Sequence, residues 1–103
     1  MPKYKVIFGS RVDNMLLRHV EFLARVSVPA AKRFRDEFKE VIREMEENPY
    51  QFPYEVDMNL PADTYHKAIF AKRYKALFLI EDKTVYLDAV VDCRQDNSFS
   101  KSF

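Results

Sequence analysis

The chain has 103 residues and only one cysteine, Cys93, and two histidines, His19 and His66. A single thiol cannot close an internal disulfide, and this ligand set is too small for a zinc centre of His and Cys. No metal site and no cofactor are expected, and a reducing, cytoplasmic compartment fits best. Neither sign of charge is in excess: 17 cations face 16 acids, leaving +1. Such a molecule has no strong field to steer it toward nucleic acid, so only a local patch could do so. Long apolar runs are missing too. Nothing approaches the roughly 18 to 20 residues that span a bilayer, and the opening MPKYKVIF has neither the long apolar segment nor the small-residue cleavage site of a secretion signal. A soluble protein with no membrane partner is the expectation.

The residues present are those of a folded domain. Hydrophobic side chains make up 48% of the chain and aromatic ones 15%, against one glycine. That supplies the apolar surface a disordered chain lacks for offsetting ordering entropy. At this length one core is the rule. A single domain over residues 1–97, followed by a tail at 98–103, is expected.

Periodicity then assigns the elements. Tyr4, Val6 and Phe8 alternate with Lys3, Lys5 and Ile7, as in a strand with one wetter face. Ser10 is positioned as an N-cap, with Asp13 in the first turn. Val12, Met15, Leu16, His19, Val20, Leu23 and Val26 recur at spacings of three and four, forming one buried helical stripe. Ser27-Val28-Pro29 restarts the chain, because proline is tolerated in a first helical turn. A second stripe follows in Ala30, Phe34, Phe38, Val41, Ile42 and Met45, with mixed charges on the other side that read as a solvated face. Asn48-Pro49 stops it, and the short link between the helices predicts an antiparallel hairpin. Pro49 to Thr64 has no clean period and reads as a loop anchored by Tyr50, Phe52 and Tyr54. Beyond it the period becomes two. Tyr65–Phe70, Lys75–Glu81 and Thr84–Val91 read as three strands joined by tight turns. Ala76-Leu77-Phe78-Leu79-Ile80 is apolar on both sides, as a central strand would be. The predicted fold is α+β, in the order β-α-α-β-β-β. It is an antiparallel-rich twisted sheet with the helical hairpin on one face, the first strand added to the meander, and the opposite face more open.

Four cations, Lys67, Lys72, Arg73 and Lys75, surround the tight connection between the first two strands of the meander. The third strand runs out into the polar tail Asp92-Cys93-Arg94-Gln95-Asp96-Asn97. A basic cluster on rigid strands beside a mobile tail suits a phosphate backbone or an acidic partner.

Taken in order, several segments resemble the RelE/ParE superfamily, the small toxins and plasmid stabilisation proteins of type II toxin–antitoxin systems. They are Tyr4-Lys5-Val6-Ile7-Phe8, Pro29-Ala30-Ala31-Lys32-Arg33-Phe34, Glu47-Asn48-Pro49, Tyr65-His66-Lys67-Ala68-Ile69-Phe70, Arg73-Tyr74-Lys75-Ala76-Leu77-Phe78 and Val90-Val91-Asp92-Cys93-Arg94-Gln95-Asp96. The resemblance covers roughly residues 3–97. It implies a toxin held inactive by a cognate antitoxin. The target would be mRNA cut on the ribosome in the RelE-like branch, or DNA gyrase, without catalysis, in the ParE-like branch. Lys75 stands where RelE-like members carry a catalytic Arg, and Arg94 matches the basic residue after the last strand. His66 or Lys67 falls where they place lysines, and Phe99 lies near their C-terminal Tyr. Two of these are departures. Lys lacks the bidentate grip of Arg on phosphate, and Phe has no hydroxyl.

RNA cleavage needs a group to take the 2′-hydroxyl proton and cations to hold the charge that grows on phosphate. His66, Lys75 and Arg94 are the catalytic candidates, and Lys67, Lys72 and Arg73 the RNA-binding ones. The competing roles are ordinary ones: exposed strand residues and solubilising edge charges. His66 and Lys67, adjacent on a strand, cannot both face one substrate. His19, on a buried stripe, reads as a hydrogen-bonded structural residue. Cys93, beside Arg94, is a weaker candidate as a nucleophile of lowered pKa. Asp88, Asp92 and Asp96 read as solvated.

Overall fold

The computed structural model describes residues 2–57 and 59–94. The expected tail and domain boundary, the counterpart Phe99 and Asp96 lie outside the described residues. The elements run β1 (Lys5–Phe8), α1 (Val12–Val26), α2 (Val28–Glu47), a 3-10 turn (Pro49–Gln51), β2 (His66–Phe70), β3 (Tyr74–Glu81) and β4 (Thr84–Asp92). The expected order of elements is borne out. The sheet order is β1-β4-β3-β2, with β1 parallel to β4 and the other pairs antiparallel.

Ser27 alone joins the two helices. Its extended backbone closes α1 by donating its N–H to the Leu23 carbonyl at 2.7 Å, and its hydroxyl caps α2 by accepting from the Ala30 N–H at 3.3 Å. One residue serving two helix ends leaves no slack, so the helices fold back on each other. The expected Ser10 cap is not formed. The cap position is Arg11, whose side chain makes no capping bond, and the Val12 N–H is satisfied by the Gly9 carbonyl at 3.1 Å. Gly9 has a reason to be the one glycine. A Cβ there would meet the Leu87 carbonyl oxygen at 3.0 Å, a backbone atom that cannot swing aside. Val26, expected in the buried stripe, is the last residue of α1 and is 72% exposed, whereas Ala31, not expected, is buried.

One sheet face packs on the helices. Ala68, Phe70, Tyr74, Ala76, Phe78, Val85, Leu87 and Val90 meet Val12, Leu23, Phe34, Phe38, Val41 and Met45. The Phe34 ring stands edge-on to Tyr74 with centroids 4.8 Å apart, and lies 5.2 Å from Phe70. Such aromatic pairs add to the area they bury. The other face is less open than expected. Leu77, Ala89 and Val91 are buried there under Met15, Leu60 and Tyr65. The loop supplies two of those three side chains and also extends the sheet. The Glu55 N–H donates to the Tyr65 carbonyl at 2.7 Å and the Lys67 N–H to that of Pro53 at 2.9 Å, beside an isolated bridge between Tyr54 and His66. Phe52 folds back as expected, edge-on to Phe78 at 5.7 Å.

With a single glycine in the chain, other residues occupy the left-handed turn positions. Ala71 and Lys72 have φ of 49° and 70°, and Asp82 has 55°. Both hairpins need this geometry to match strand twist. The Ala71 N–H is held by the Glu37 carboxylate at 3.0 Å, which ties the first turn to α2.

β4 changes neighbours halfway along. Its register with β3 shifts between Leu77 and Phe78, so Asp88 is an extra residue opposite neither. Such a bulge twists the strand. Pairing with β1 stops at Leu87. Past that point α1 takes over the open edge: Arg11 Nε donates to the Asp88 carbonyl at 3.2 Å and His19 Nε2 to the Val90 carbonyl at 2.7 Å. A carbonyl only accepts, so Nε2 carries the proton. His19 is thus a structural donor, as its place on the helix suggested. Val90 is fully buried, and removing the donor would strand a buried carbonyl at a cost of about 1–3 kcal/mol. His19→Leu should therefore lower unfolding free energy by about 2 kcal/mol in urea titrations, with His19→Gln recovering part of the loss. Equal stability of His19→Leu and the wild type would refute this role.

Candidate functional site

The pairing of Lys67 with Leu77 and of Ile69 with Lys75 puts Lys67 and Lys75 on the same face, away from the helices. Both ammonium groups converge on one carboxylate. Lys67 Nζ lies 3.4 Å from Glu55 Oε2, and Lys75 Nζ is hydrogen-bonded to Glu55 Oε1. Glu55 is buried although it comes from the loop. Its backbone bond to Tyr65 aligns it along β2, so its side chain passes beneath the two lysines.

His66 points the other way. It is buried, its Nδ1 donates to the Phe52 carbonyl at 2.8 Å, and its ring lies between Tyr54 at 4.3 Å and Phe78 at 5.4 Å. Sequence placed His66 and Lys67 on opposite faces, and the sheet does so.

A second charged cluster sits where β4 ends. Asp92 pairs with Tyr74 across the strands, so it shares the helix-facing side, opposite Lys75. Arg94 grips it with Nε 3.3 Å from Oδ1 and Nη2 3.1 Å from Oδ2, while the Arg94 N–H donates to Oδ1 at 2.9 Å. Arg73 adds a longer contact, 3.9 Å from Oδ2, and its guanidinium lies over the Tyr74 ring at 5.4 Å. Burial pushes the Asp92 carboxyl up, but the bonds from the Arg94 side chain and N–H, then the charges of Arg94 and Arg73, outweigh it. The group is held below the ordinary carboxylate range.

The predicted set is therefore split. Lys67 and Lys75 meet on one face with Glu55. Arg73 and Arg94 meet on the other with Asp92. His66 is enclosed under the loop, and Lys72 stands exposed at the turn. Cys93 does not have the lowered pKa weighed for it. Burial pushes the thiol up, more than the Lys75 charge lowers it. Two carboxylates escaped sequence reasoning. Glu55 lies in a loop without periodicity, and nothing local signals its burial. Asp92 was grouped with Asp88 as solvated, yet both are engaged: the Tyr65 hydroxyl donates to Asp88 Oδ2 at 2.7 Å.

A third feature is apolar. Leu16, Leu17, Val20, Phe34 and Phe38 line a groove of about 390 Å³ between the helices, with Arg35 and Lys39 at its edge. Leu17 is 55% exposed and Phe22, farther along α1, 49%. Among the described residues no group of three or more His, Cys, Asp or Glu is placed to hold a metal, and no helix is long and apolar enough to cross a membrane.

No protein-family model matches this sequence, and no curated protein matches it. Among solved structures the chain is similar to one from the chromosomal ParDE toxin–antitoxin system of P. aeruginosa, with a TM-score of 0.70. The two share a fold. The superposition covers 87% of this chain and 96% of the other at 9% sequence identity. The α+β architecture expected from the sequence is thus also that of a ParDE chain. At that identity the likeness is one of backbone, and the side chains above have to be judged on their own geometry.

Two titrations follow from this geometry. The Tyr65 phenol is pushed up to about 12 by burial, then by its bond to Asp88 and the charge of that carboxylate. A phenol raised in the folded state stabilises fully below its unfolded value of about 10 and ceases to as pH rises through the folded one. Absorbance at 295 nm should show one late-titrating tyrosine that Tyr65→Phe removes; an unchanged curve would contradict the Tyr65–Asp88 bond. Asp92 has the opposite sign. A lowered carboxyl stabilises above pH about 4 and loses that contribution as pH falls through its folded value. The stability difference between wild type and Asp92→Asn should shrink as acid unfolding moves below that pH. A constant difference would mean the arginine grip contributes nothing.

Proposed function

We propose that this chain is the toxin member of a toxin–antitoxin pair, and that it acts by binding its target without cutting RNA. The backbone likeness to a ParDE chain supports the general reading. One observation favours the non-catalytic form: each cation matched to a nuclease position is held by a carboxylate of the chain itself, Lys75 by Glu55 and Arg94 by Asp92, on opposite faces of the sheet. Cleavage requires those charges to converge on one phosphate beside a proton acceptor. His66 cannot serve from beneath the loop, where its Nδ1 proton is committed to Phe52.

A ParE-like inhibitor of DNA gyrase is the form this reading takes. The antitoxin's place is the apolar groove between α1 and α2. An amphipathic helix with an apolar stripe would cover Leu16, Leu17, Val20 and Phe38, and acidic residues would meet Arg35 and Lys39. Each basic cluster on the sheet already has one carboxylate between its two cations, which leaves less for an acidic antitoxin.

Expression of the chain alone should arrest growth, and the purified protein should block gyrase supercoiling while leaving mRNA in a translation reaction intact. Leu17→Glu should weaken neutralisation by a co-expressed antitoxin at least about tenfold, because it buries a charge in an apolar contact. Message cut at codon boundaries would replace this reading with the ribosome-dependent endoribonuclease. Normal supercoiling at excess protein would remove gyrase as the target.

A further inference from the structure

A strand edge that no neighbour covers invites pairing, and the two outer edges of this sheet are treated differently. Along β2 the Lys67 N–H and the Tyr65 carbonyl are taken by the loop, and the Ala71 N–H by Glu37. Along β1 the edge is open. The Lys5 and Gly9 N–H groups bond to the Lys83 and Leu87 carbonyls on the β4 side, so Tyr4, Val6 and Phe8 turn their backbone groups outward. Of those outward groups, among the described residues, only the Tyr4 N–H finds a partner, the Glu46 carbonyl at 2.9 Å. We propose that a second copy of this chain pairs with that edge, β1 antiparallel to β1 about a two-fold axis at Val6.

The edge complements itself. In that register each Val6 N–H donates to the Val6 carbonyl of the second copy, and each Phe8 N–H to its Tyr4 carbonyl. Val6 then faces Val6 and Tyr4 faces Phe8, while Lys5 faces Ile7, which is 38% exposed, so no like charges stand directly opposite. Pairing ends at the Tyr4 N–H, which is already given to Glu46. Since the β2 edge is covered, the contact closes as a dimer and does not grow into a fibre.

The charges of α2 point to the same axis. Phe38 packs on Phe8 with ring centroids 5.9 Å apart, and the Glu46 carbonyl meets Tyr4, so α2 runs antiparallel to β1. Glu46 also lines the hollow at this edge, with Tyr4 and Val6. The end of α2 carries Glu44, Glu46 and Glu47 with no base in its last turn, and its first turn holds no acid, which opposes the helix dipole. A two-fold axis at Val6 exchanges the two ends and carries Lys39, beside Phe38, toward Glu46 of the second copy. A polarity unfavourable within one helix becomes favourable between two.

This goes beyond the proposed function and stands apart from it, since growth arrest and self-association are measured separately. Sedimentation equilibrium should show a mass rising from the monomer's 12.3 kDa toward twice that value as concentration goes from about 10 μM to about 1 mM. Over the same range, hydrogen exchange at the Val6 and Phe8 amides should slow at least about threefold. Val6→Pro removes an outward N–H and leaves the bonds to β4 in place, and should raise the dimer Kd at least about tenfold. Lys39→Glu and Glu46→Lys should each weaken the dimer, and the two together should restore it. A mass that stays at the monomer value overturns the proposal, as does a double variant no tighter than either single one. A dimer that Leu17→Glu breaks and Val6→Pro does not would lie in the helical groove, and overturns it too. Should circular dichroism show that Val6→Pro is unfolded, the wild type decides: Val6 and Phe8 exchange rates that do not change with concentration overturn the pairing.

Discussion

The structure depends on how the backbone of β4 is satisfied along both of its edges. β3 covers one edge from end to end. The other is covered in two parts, because β1 is only four residues long and pairs no farther than Leu87. Of the carbonyls beyond it, that of the fully buried Val90 would be left without a donor, which costs more than a typical bond gains. Arg11 and His19 occupy that gap with side-chain donors from α1. The helix is thus set against the sheet by polar contacts to specific carbonyls as well as by apolar packing. Ser27 then commits α2 to the same face, and the aromatic cluster of Phe34, Phe70 and Tyr74 closes over it. The bulge at Asp88 belongs to the same device, since it lies where β1 stops and Arg11 begins.

That arrangement divides the charge. With the strand register fixed by β4, residues alternate strictly between faces. Lys67 and Lys75 go to the face turned away from the helices, Tyr74 and Asp92 to the face the helices cover. The cations that stand close together in sequence are parted by a sheet and cannot share a ligand. Each group is offset in part, by one carboxylate between two cations. This agrees with a molecule whose 17 cations and 16 acids nearly cancel, and it shifts attention from the sheet to the groove on the helices as the surface suited to a protein partner.

Much of the architecture was legible in advance because its signals are local. The spacing of Phe34, Phe38, Val41 and Met45 states a helix face wherever the helix ends up. Ala76 to Ile80, apolar on both sides, states a strand covered twice, and both layers of cover are present. The errors came where a neighbour in space replaced a neighbour in sequence. Ser10 looked like a cap, but the Gly9 carbonyl took the bond. Val26 continued the apolar stripe to the last residue of α1, where it is exposed. The site was harder to read, because the meaning of Lys75 and Arg94 depends on Glu55, twenty residues from one, and on Asp92, whose burial follows from a cross-strand pairing with Tyr74.

The sequence by itself determined the order and type of the elements, the helical hairpin and the meander, since periodicity, turn residues and helix stops act over a few residues. Tertiary structure alone decided which faces the cations occupy and which carboxylates hold them. Strand register and loop docking are set by the whole core at once, and a shift of one residue would have reversed every assignment.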